Sequence, residues 1–292
     1  MICALPFLML VPPLPGVKPT ADDIMCRVAE NQERADKART SYVYDMNVFV
    51  RLKRANGKLA REESRDYVVA PGAKGAARKL LKLDGKILDG KKEIPYTQAG
   101  YKTKNLDVDG AITDSFAKEL LWRKDSPGPM VGWFPLTHHR IEHYTFTLEG
   151  EEKYRDYDVY KVSFASEKDA DDDECWSGEA LIERNEFQPV LITTTFACKI
   201  PTAVKIMLGT NVQELGAKIT YQRFSDGVWF PVNCGGEMKL RVLFMYARTI
   251  AFSGKNSGFR KADVTTSIQF PDTDDKATEE RGPDDHIHSS VP

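Results

Sequence analysis

Long apolar runs and an excess of either charge are both missing from this chain of 292 residues. The longest apolar run, Ile2–Val11, is interrupted only by Pro6 and is too short to cross a bilayer, so we predict no transmembrane segment. The 41 basic and 43 acidic residues give a formal net charge of -2. This balance argues against a nucleic-acid partner, which needs a basic face, and against a polybasic patch for anionic lipids.

Several motifs that mark common chemistries are absent as well. No Cys-x-x-Cys occurs, so zinc ribbons and thioredoxin-like redox sites lose their main support. No Gly-x-Ser-x-Gly marks a serine hydrolase, and the Gly72–Gly75 loop lacks the Gly-Lys-Ser/Thr sequence of a phosphate-binding loop. We therefore predict a protein that has no cofactor and is not an enzyme.

Composition divides the chain into three parts. The apolar run is followed by prolines, which predicts a secretory signal over residues 1–21, atypical because no Lys or Arg precedes it and no Ala-x-Ala follows. An apolar, disordered start of a cytosolic protein is the alternative. Residues 22–270 should form the folded domain. Residues 271–292 are rich in Asp, Glu, Pro, His and Ser without an apolar period, so they are predicted to be a disordered acidic tail.

Short turn signals between alternating segments dominate the folded part. Asn56-Gly57, Asp84-Gly85 and Asp226-Gly227 each separate strand-like segments, and glycine accepts the positive φ that such turns need. In the clearest strand, Tyr42–Lys53, apolar and polar residues alternate with a period of two, so one face is apolar. These patterns predict a mainly β protein of about eleven antiparallel strands.

Two helices are predicted to accompany the strands. Thr20 can cap a helix that ends near Arg39, with Asp23 completing a capping box. Apolar residues in Ile112–Arg123 recur at helical spacing and predict a second helix. The apolar face of the first helix must be covered, and the sheet is the large partner available.

A histidine pattern supports an alternative hypothesis, in which the protein is an enzyme. His139, Glu142 and His143 match the His-x-x-Glu-His pattern of zinc hydrolases, in which two histidines share one helix face. Pro135 lies upstream and a strand-like segment begins at Tyr144, which leaves about one and a half turns of helix. A metal-dependent hydrolase that uses these three residues is therefore kept as the second hypothesis.

The cysteines allow one disulfide prediction. Without Cys3 in the leader, an even number remains, which is compatible with an oxidising compartment. Segments 176–185 and 189–198 look like the arms of a hairpin, and this register would bring Cys175 close to Cys198. These two form the candidate pair, and the alternative is that all the remaining cysteines are small buried apolar residues.

Three features together carry a resemblance to a known family. The first is the order of a leader, a capped helix, a long amphipathic strand and a meander. The second is Trp176–Glu183 leading to Phe187–Val190, where a glycine-containing strand turns before a strand that begins with proline. The third is the Tyr221–Val232 hairpin, whose second arm begins with aromatic residues and proline. Over about residues 22–270 the chain resembles the outer-membrane lipoprotein-sorting family, of the LolA and LolB type, and its secreted bacterial relatives.

This resemblance implies an unclosed antiparallel β-barrel, plugged by helices, that binds acyl chains without catalysis. The residues that could line its apolar cavity are Tyr44, Met46, Val48, Phe146, Phe196, Phe244 and Tyr246. Family carriers use a cavity arginine to control the lid, and Arg51 is the candidate here, although it lies in the polar row of its strand. If the apolar rows instead pack as a filled core, the chain is a sheet-based interaction module.

The same resemblance implies a location and a set of partners. The chain is expected to be secreted, periplasmic or associated with the outer envelope of a bacterium. Its partners would be a lipid or an acylated lipoprotein, with envelope transport proteins as further candidates.

Overall fold

The described residues form two helices and eleven strands that join in one sheet. The structure is a computed structural model that describes residues 18–262 except for 73–74, 106, 118–136, 138–140, 167–175, 197–210, 225 and 243–245. The helices are α1 (Ala21–Arg39) and α2 (Val108–Ser115). The strands are β1 (Tyr42–Arg54), β2 (Leu59–Gly72), β3 (Gly75–Asp89), β4 (Lys92–Tyr96), β5 (Tyr144–Tyr154), β6 (Tyr157–Ser166), β7 (Trp176–Glu183), β8 (Pro189–Phe196), β9 (Asn211–Arg223), β10 (Trp229–Val242) and β11 (Tyr246–Lys261).

Neighbouring strands run antiparallel across the sheet, in the order β4-β3-β2-β1-β11-β10-β9-β8-β7-β6-β5. Every pair except β1 with β11 joins strands that follow one another in the sequence, as in a meander. β4 and β5 stand at the two ends of the order and are not paired with each other. The predicted fold is therefore confirmed: an unclosed antiparallel sheet accompanied by helices.

The first helix begins as the sequence predicts. The backbone N–H of Asp23 donates to the Thr20 hydroxyl at 3.1 Å, and the backbone N–H of Thr20 donates to the Asp23 carboxylate at 3.1 Å. These two bonds form the capping box that satisfies free N–H groups of the first turn. α1 contacts both β5 and β10, which four other strands separate in the sheet, so the sheet curls around this helix.

The core lies between the helices and one face of the sheet, which we call the inner face. On β1 this face carries Tyr44, Met46, Val48, Val50 and Leu52, none of them more than 3% exposed. One buried cluster joins this row to the apolar side of α1, to the residues that follow α2 and to the strands from β6 to β11. The apolar row of β1 therefore faces the core, as the alternation in the sequence predicts.

The second helix begins earlier than the sequence predicts. α2 starts at Val108 rather than Ile112 because Asp107 caps it: the Asp107 carboxylate accepts the backbone N–H of Gly110 at 2.8 Å. The cap stands in a polar segment, where no apolar period marks a helix start. Among the described helices, none combines the length and apolarity needed to cross a membrane.

Candidate functional site

The inner face beside α2 has an apolar centre. α2 lies against β1 and β2, and the ring of Phe116, just after the helix, lies 5.5 Å from the ring of Phe252 on β11. Phe252 pairs with Val50 of β1, and the neighbouring pair is Ile250 with Leu52. We call these four residues, Val50, Leu52, Ile250 and Phe252, the floor; each is 3% exposed or less.

Charged residues border the floor on β2. Arg61 and Glu63 pair directly with Leu52 and Val50 of β1, and Arg65 continues the row. All three charged side chains are 1–2% exposed. Burial of an unpaired charge is costly, so each of these groups needs a partner close by.

All three nitrogen atoms of the Arg61 guanidinium group donate hydrogen bonds. Nε donates to the Tyr96 hydroxyl at 2.8 Å, Nη1 donates to Asp107 Oδ2 at 2.9 Å, and Nη2 donates to the Tyr101 carbonyl oxygen at 2.8 Å. The backbone of α2 comes so near that a Cβ at Gly110 would lie 2.8 Å from Arg61 Nη1. Arg61 therefore joins the sheet to the cap of α2 and to the segment before it.

Tyr96 carries this network across the sheet from the short strand β4. Its ring lies over the backbone of β3, where a Cβ at Gly85 would stand 2.1 Å from Tyr96 Cζ. The Tyr96 hydroxyl donates to Glu63 Oε2 at 2.7 Å. Burial raises the pKa of Tyr96, and the adjacent Glu63 carboxylate raises it further, so the hydroxyl keeps its proton.

Arg65 pairs with one carboxylate of the sheet and one of α2. Its Nε donates to Glu63, and its Nη2 donates to Asp114. Burial by itself would lower the pKa of Arg65, but the charge of Glu63 and contact with Tyr67 raise it overall. The guanidinium therefore stays charged and holds α2 near its end.

Arg248 of β11 holds the first turn of α2. Its Nε donates to Asp109 Oδ1 at 2.7 Å and its Nη2 to Asp109 Oδ2 at 3.0 Å, a bidentate pair. The Tyr246 hydroxyl donates to the same carboxylate. Burial raises the pKa of Tyr246, and the hydrogen bond to Asp109 raises it further. Three arginines of the inner face thus bind three aspartates of α2 and its cap: Arg61 with Asp107, Arg248 with Asp109, and Arg65 with Asp114. We call the three arginines the arginine cradle.

A pocket of about 250 Å³ opens beside the arginine cradle, between the start of α2 and the ends of β1, β3 and β11. Four of its charged lining residues are basic and three are acidic: Arg54, Arg61, Lys104 and Arg248, with Asp89, Asp107 and Asp109. The floor residues do not line the pocket, but Arg61, which does, pairs directly with Leu52 of the floor.

The attachment of α1 is different in kind. Ile24, Met25 and Val28 are at most 1% exposed and belong to the core. Polar bonds add to this apolar face: Arg39 Nε, for example, donates to the Trp229 carbonyl oxygen at 2.7 Å. The amide of Asn31 also donates to the Glu186 carbonyl oxygen at 2.5 Å. α1 is therefore a fixed part of the core, whereas α2 is shorter and is held mainly through charged side chains.

The structure brings most of the described cavity candidates to the inner face. Tyr44, Met46 and Val48 are buried in the core, and Phe146 packs against it from β5. Tyr246 lies at the polar end of β11, with its hydroxyl on Asp109. Phe244 and the side chain of Phe196 lie outside the described part of the chain. That these residues line a ligand site remains a prediction.

Arg51 does not hold a helix in the structure. Its side chain is 42% exposed in the outer row of β1, where its Nε donates to Glu62. Among the described residues, the arginines that bind the aspartates of α2 and of its cap are those of the arginine cradle, which sequence reasoning missed. One sequence signal indicated that Arg61 and Arg65 face inward: the period of two places them in the same alternating row as the apolar Tyr67 and Val69.

The remaining candidates are only partly described. Glu142 is exposed and His143 is half-buried at the entrance to β5, while His139 lies outside the described residues. No three His, Cys, Asp or Glu side chains among the described residues are grouped to hold a metal ion. The hydrolase hypothesis therefore stays untested, and so does the disulfide, since Cys175 and Cys198 also lie outside the described ranges.

Comparisons with known proteins were made with both the sequence and the fold. No protein-family model and no curated protein matches the sequence. A LolA superfamily protein from Nitrosomonas europaea matches in structure with a TM-score of 0.33 and 11% identity, over 85% of this chain and 96% of that one. An outer membrane lipoprotein-sorting protein domain from Vibrio parahaemolyticus matches with a TM-score of 0.36 and 11% identity, over 84% and 95%. A DUF1329 family protein from Desulfovibrio piger gives 0.33 and 11%, over 86% and 96%.

The family that the sequence resembles is thus among the solved structures that match this chain. With identities of 11% and TM-scores of 0.33 to 0.36, these likenesses supply no argument about a ligand.

Proposed function

We propose that this chain is a non-catalytic binding protein that holds the acyl chain of a lipid or an acylated lipoprotein against the floor. The observation that carries the proposal is the contrast at α2. The floor beneath is apolar, whereas the helix above is attached mainly by Asp107, Asp109 and Asp114 to the arginine cradle. A helix held in this way can move aside without dismantling the core, which α1 keeps in place.

The free energy lost by exposing Phe116 and the free energy gained by burying an acyl chain are of similar size. Moving α2 away exposes Phe116, whose burial is worth about 1.5–3 kcal/mol. An acyl chain that takes its place on the floor gains about 0.8 kcal/mol for each buried methylene group. About four methylene groups therefore offset the loss of Phe116, and the further methylene groups of a longer chain offset part of the cost of separating the aspartates of α2 from the arginine cradle.

The test is calorimetric titration of the protein, purified without detergent, with dodecanol as a neutral twelve-carbon probe. We expect binding by the wild type and several-fold tighter binding by Phe116→Ala, because the shortened side chain clears the floor. Phe49→Ala is the matched control, since Phe49 lies in the outer row of β1 under Arg51. If neither dodecanol nor its anionic counterpart dodecanoate binds to the wild type or to Phe116→Ala, the proposal is overturned and the filled-core interaction module is the better account.

The location that goes with this proposal is outside the cytoplasm, in the periplasm or at the outer envelope of a bacterium. The support is the leader-like segment Ile2–Val11 in the sequence. Fractionation of cells that express the full chain tests it: we expect a shortened product outside the cytoplasm. Full-length protein recovered from the cytoplasm would contradict this part of the proposal.

A further inference from the structure

We propose that the acyl ligand carries an anionic headgroup, a carboxylate or a phosphate, which binds in the pocket beside the arginine cradle and replaces the aspartates of α2. This inference rests on the proposed function and adds the chemical class of the ligand. Its basis is that the aspartates already occupy the places an anionic headgroup would take. Asp109 does so most clearly, because it binds Arg248 through both carboxylate oxygens.

Removing α2 leaves the inner face with uncompensated positive charge. Among the described residues, the arginine cradle would then keep one carboxylate partner on the sheet, Glu63, which contacts Arg61 and Arg65. Guanidinium groups that are 1–2% exposed in the folded protein would have to be rehydrated or left unpaired, and either is costly. A neutral ligand cannot remove this cost, whereas an anionic headgroup can pair with the arginines that α2 releases.

The pocket also offers two cations that α2 does not use. Within the described part of the chain, the Arg54 guanidinium donates to the Leu88 carbonyl oxygen and pairs with no carboxylate. Lys104, which lines the pocket together with Asp89, makes no ion pair with any described residue. An anion can therefore bind at Arg54 and Lys104 before α2 moves, and then compete with Asp109 for Arg248.

The order of residues along the strands matches an amphiphile. Arg54 pairs with Arg248 at the pocket, the next pair on this face is Leu52 with Ile250, and the one after is Val50 with Phe252. From Arg54 to Val50 a strand rises about 13 Å. A headgroup at the arginines thus leads its chain directly onto the floor, and the pocket of about 250 Å³ needs to hold only the headgroup.

The test compares three probes with the same twelve-carbon chain: dodecanoate, dodecyl phosphate and dodecanol, titrated into the detergent-free full chain. Because a charge-assisted hydrogen bond contributes more than a neutral one, we expect at least one anion to bind roughly tenfold tighter than dodecanol. The tighter of the two anions identifies the headgroup as a carboxylate or a phosphate.

Variants separate a headgroup site from a general effect of charge. Asp109→Asn frees Arg248, so it should tighten anion binding several-fold and change dodecanol binding less, which a purely structural role would not produce. Arg54→Met should weaken the preference for anions, and Arg248→Met should abolish it if the variant folds. Arg51→Met removes a cation from the outer row and should leave the preference unchanged.

The outcomes distinguish this inference from the function on which it rests. Equal affinities for all three probes overturn the anionic headgroup and leave the acyl-chain proposal standing. Binding of no probe overturns both. A preference for anions that Asp109→Asn and Arg54→Met leave unchanged also overturns the inference, because the anion would then bind elsewhere.

Discussion

Replacing Arg61 with methionine tests the most buried charge that holds α2. Methionine replaces the unbranched stem of the side chain but lacks the guanidinium group, so three hydrogen bonds are lost, those to Tyr96, Asp107 and Tyr101. The Arg61 side chain is 1% exposed, and its partner Asp107 is 10% exposed. Breaking a buried pair by removing one member costs about 3–5 kcal/mol, because the other charge is left without compensation.

Arg51→Met is the matched control, since it removes an arginine from the adjacent strand on the opposite face. The Arg51 side chain is 42% exposed and its partner Glu62 is 19% exposed, so water screens this pair. We expect a loss of about 0–1 kcal/mol. The measurement is urea unfolding followed by circular dichroism, with the midpoints compared at unchanged slope.

Two further variants make the comparison specific. Arg61→Lys keeps the charge but cannot reach three partners at once, so its loss should fall between those of wild type and Arg61→Met. The double variant Arg61→Met with Asp107→Asn should lose less than the sum of its single changes, because they share one interaction. If Arg61→Met costs no more than Arg51→Met, the buried network does not stabilise the fold and our account of how α2 is held is wrong.

Three other predictions follow from local geometry. Thr20→Ala removes the capping box of α1 and should lower the free energy of unfolding by about 1 kcal/mol, with faster hydrogen exchange in the first turn. Gly85→Ala places a methyl group 2.1 Å from Tyr96 Cζ and should cost about 1–3 kcal/mol in urea unfolding; a neutral result would contradict the packing of that ring. The pKa of Tyr96 is raised above its usual 10.0 in the folded state, first by burial, so the folded protein holds this proton more tightly. The stabilisation that this proton provides is full below pH 10.0 and is lost as the pH rises further. Above pH 10.0 this group should lower the free energy of unfolding by at most about 1.4 kcal/mol per pH unit. Tyr96→Phe should remove that part of the pH dependence.

The elements that sequence reasoning placed correctly are those whose signals are local. The capping box needs only Thr20 and Asp23, and the strand that begins at Tyr42 needs only its own alternation. Each of these signals lies within a few residues along the chain, so local periodicity and capping chemistry suffice to read it. The turn predicted at Asp84-Gly85 is wrong, because both residues lie inside β3, where Gly85 leaves room for the Tyr96 ring. The predicted start of α2 lies too late along the chain. The cap residue, Asp107, stands in a polar segment, and no apolar period there indicates where the helix begins.

The attachment of α2 could not be read in the same way. β2 carries charges in both of its alternating rows, Arg61 to Arg65 in one and Glu62 to Asp66 in the other, so alternation does not say which row faces inward. The partners also lie far away in sequence. Arg61 and Asp107 are 46 residues apart, Arg65 and Asp114 are 49 apart, and Arg248 and Asp109 are 139 apart.

The sequence by itself determined a mainly β chain of antiparallel strands, a capped first helix and an apolar row on β1, because these depend on neighbours along the chain. Only the tertiary structure decided that β1 pairs with β11, that the sheet curls around α1 and that three arginines face inward onto the aspartates of α2. Burial turns those charges into obligatory pairs, and burial exists only once distant strands have come together.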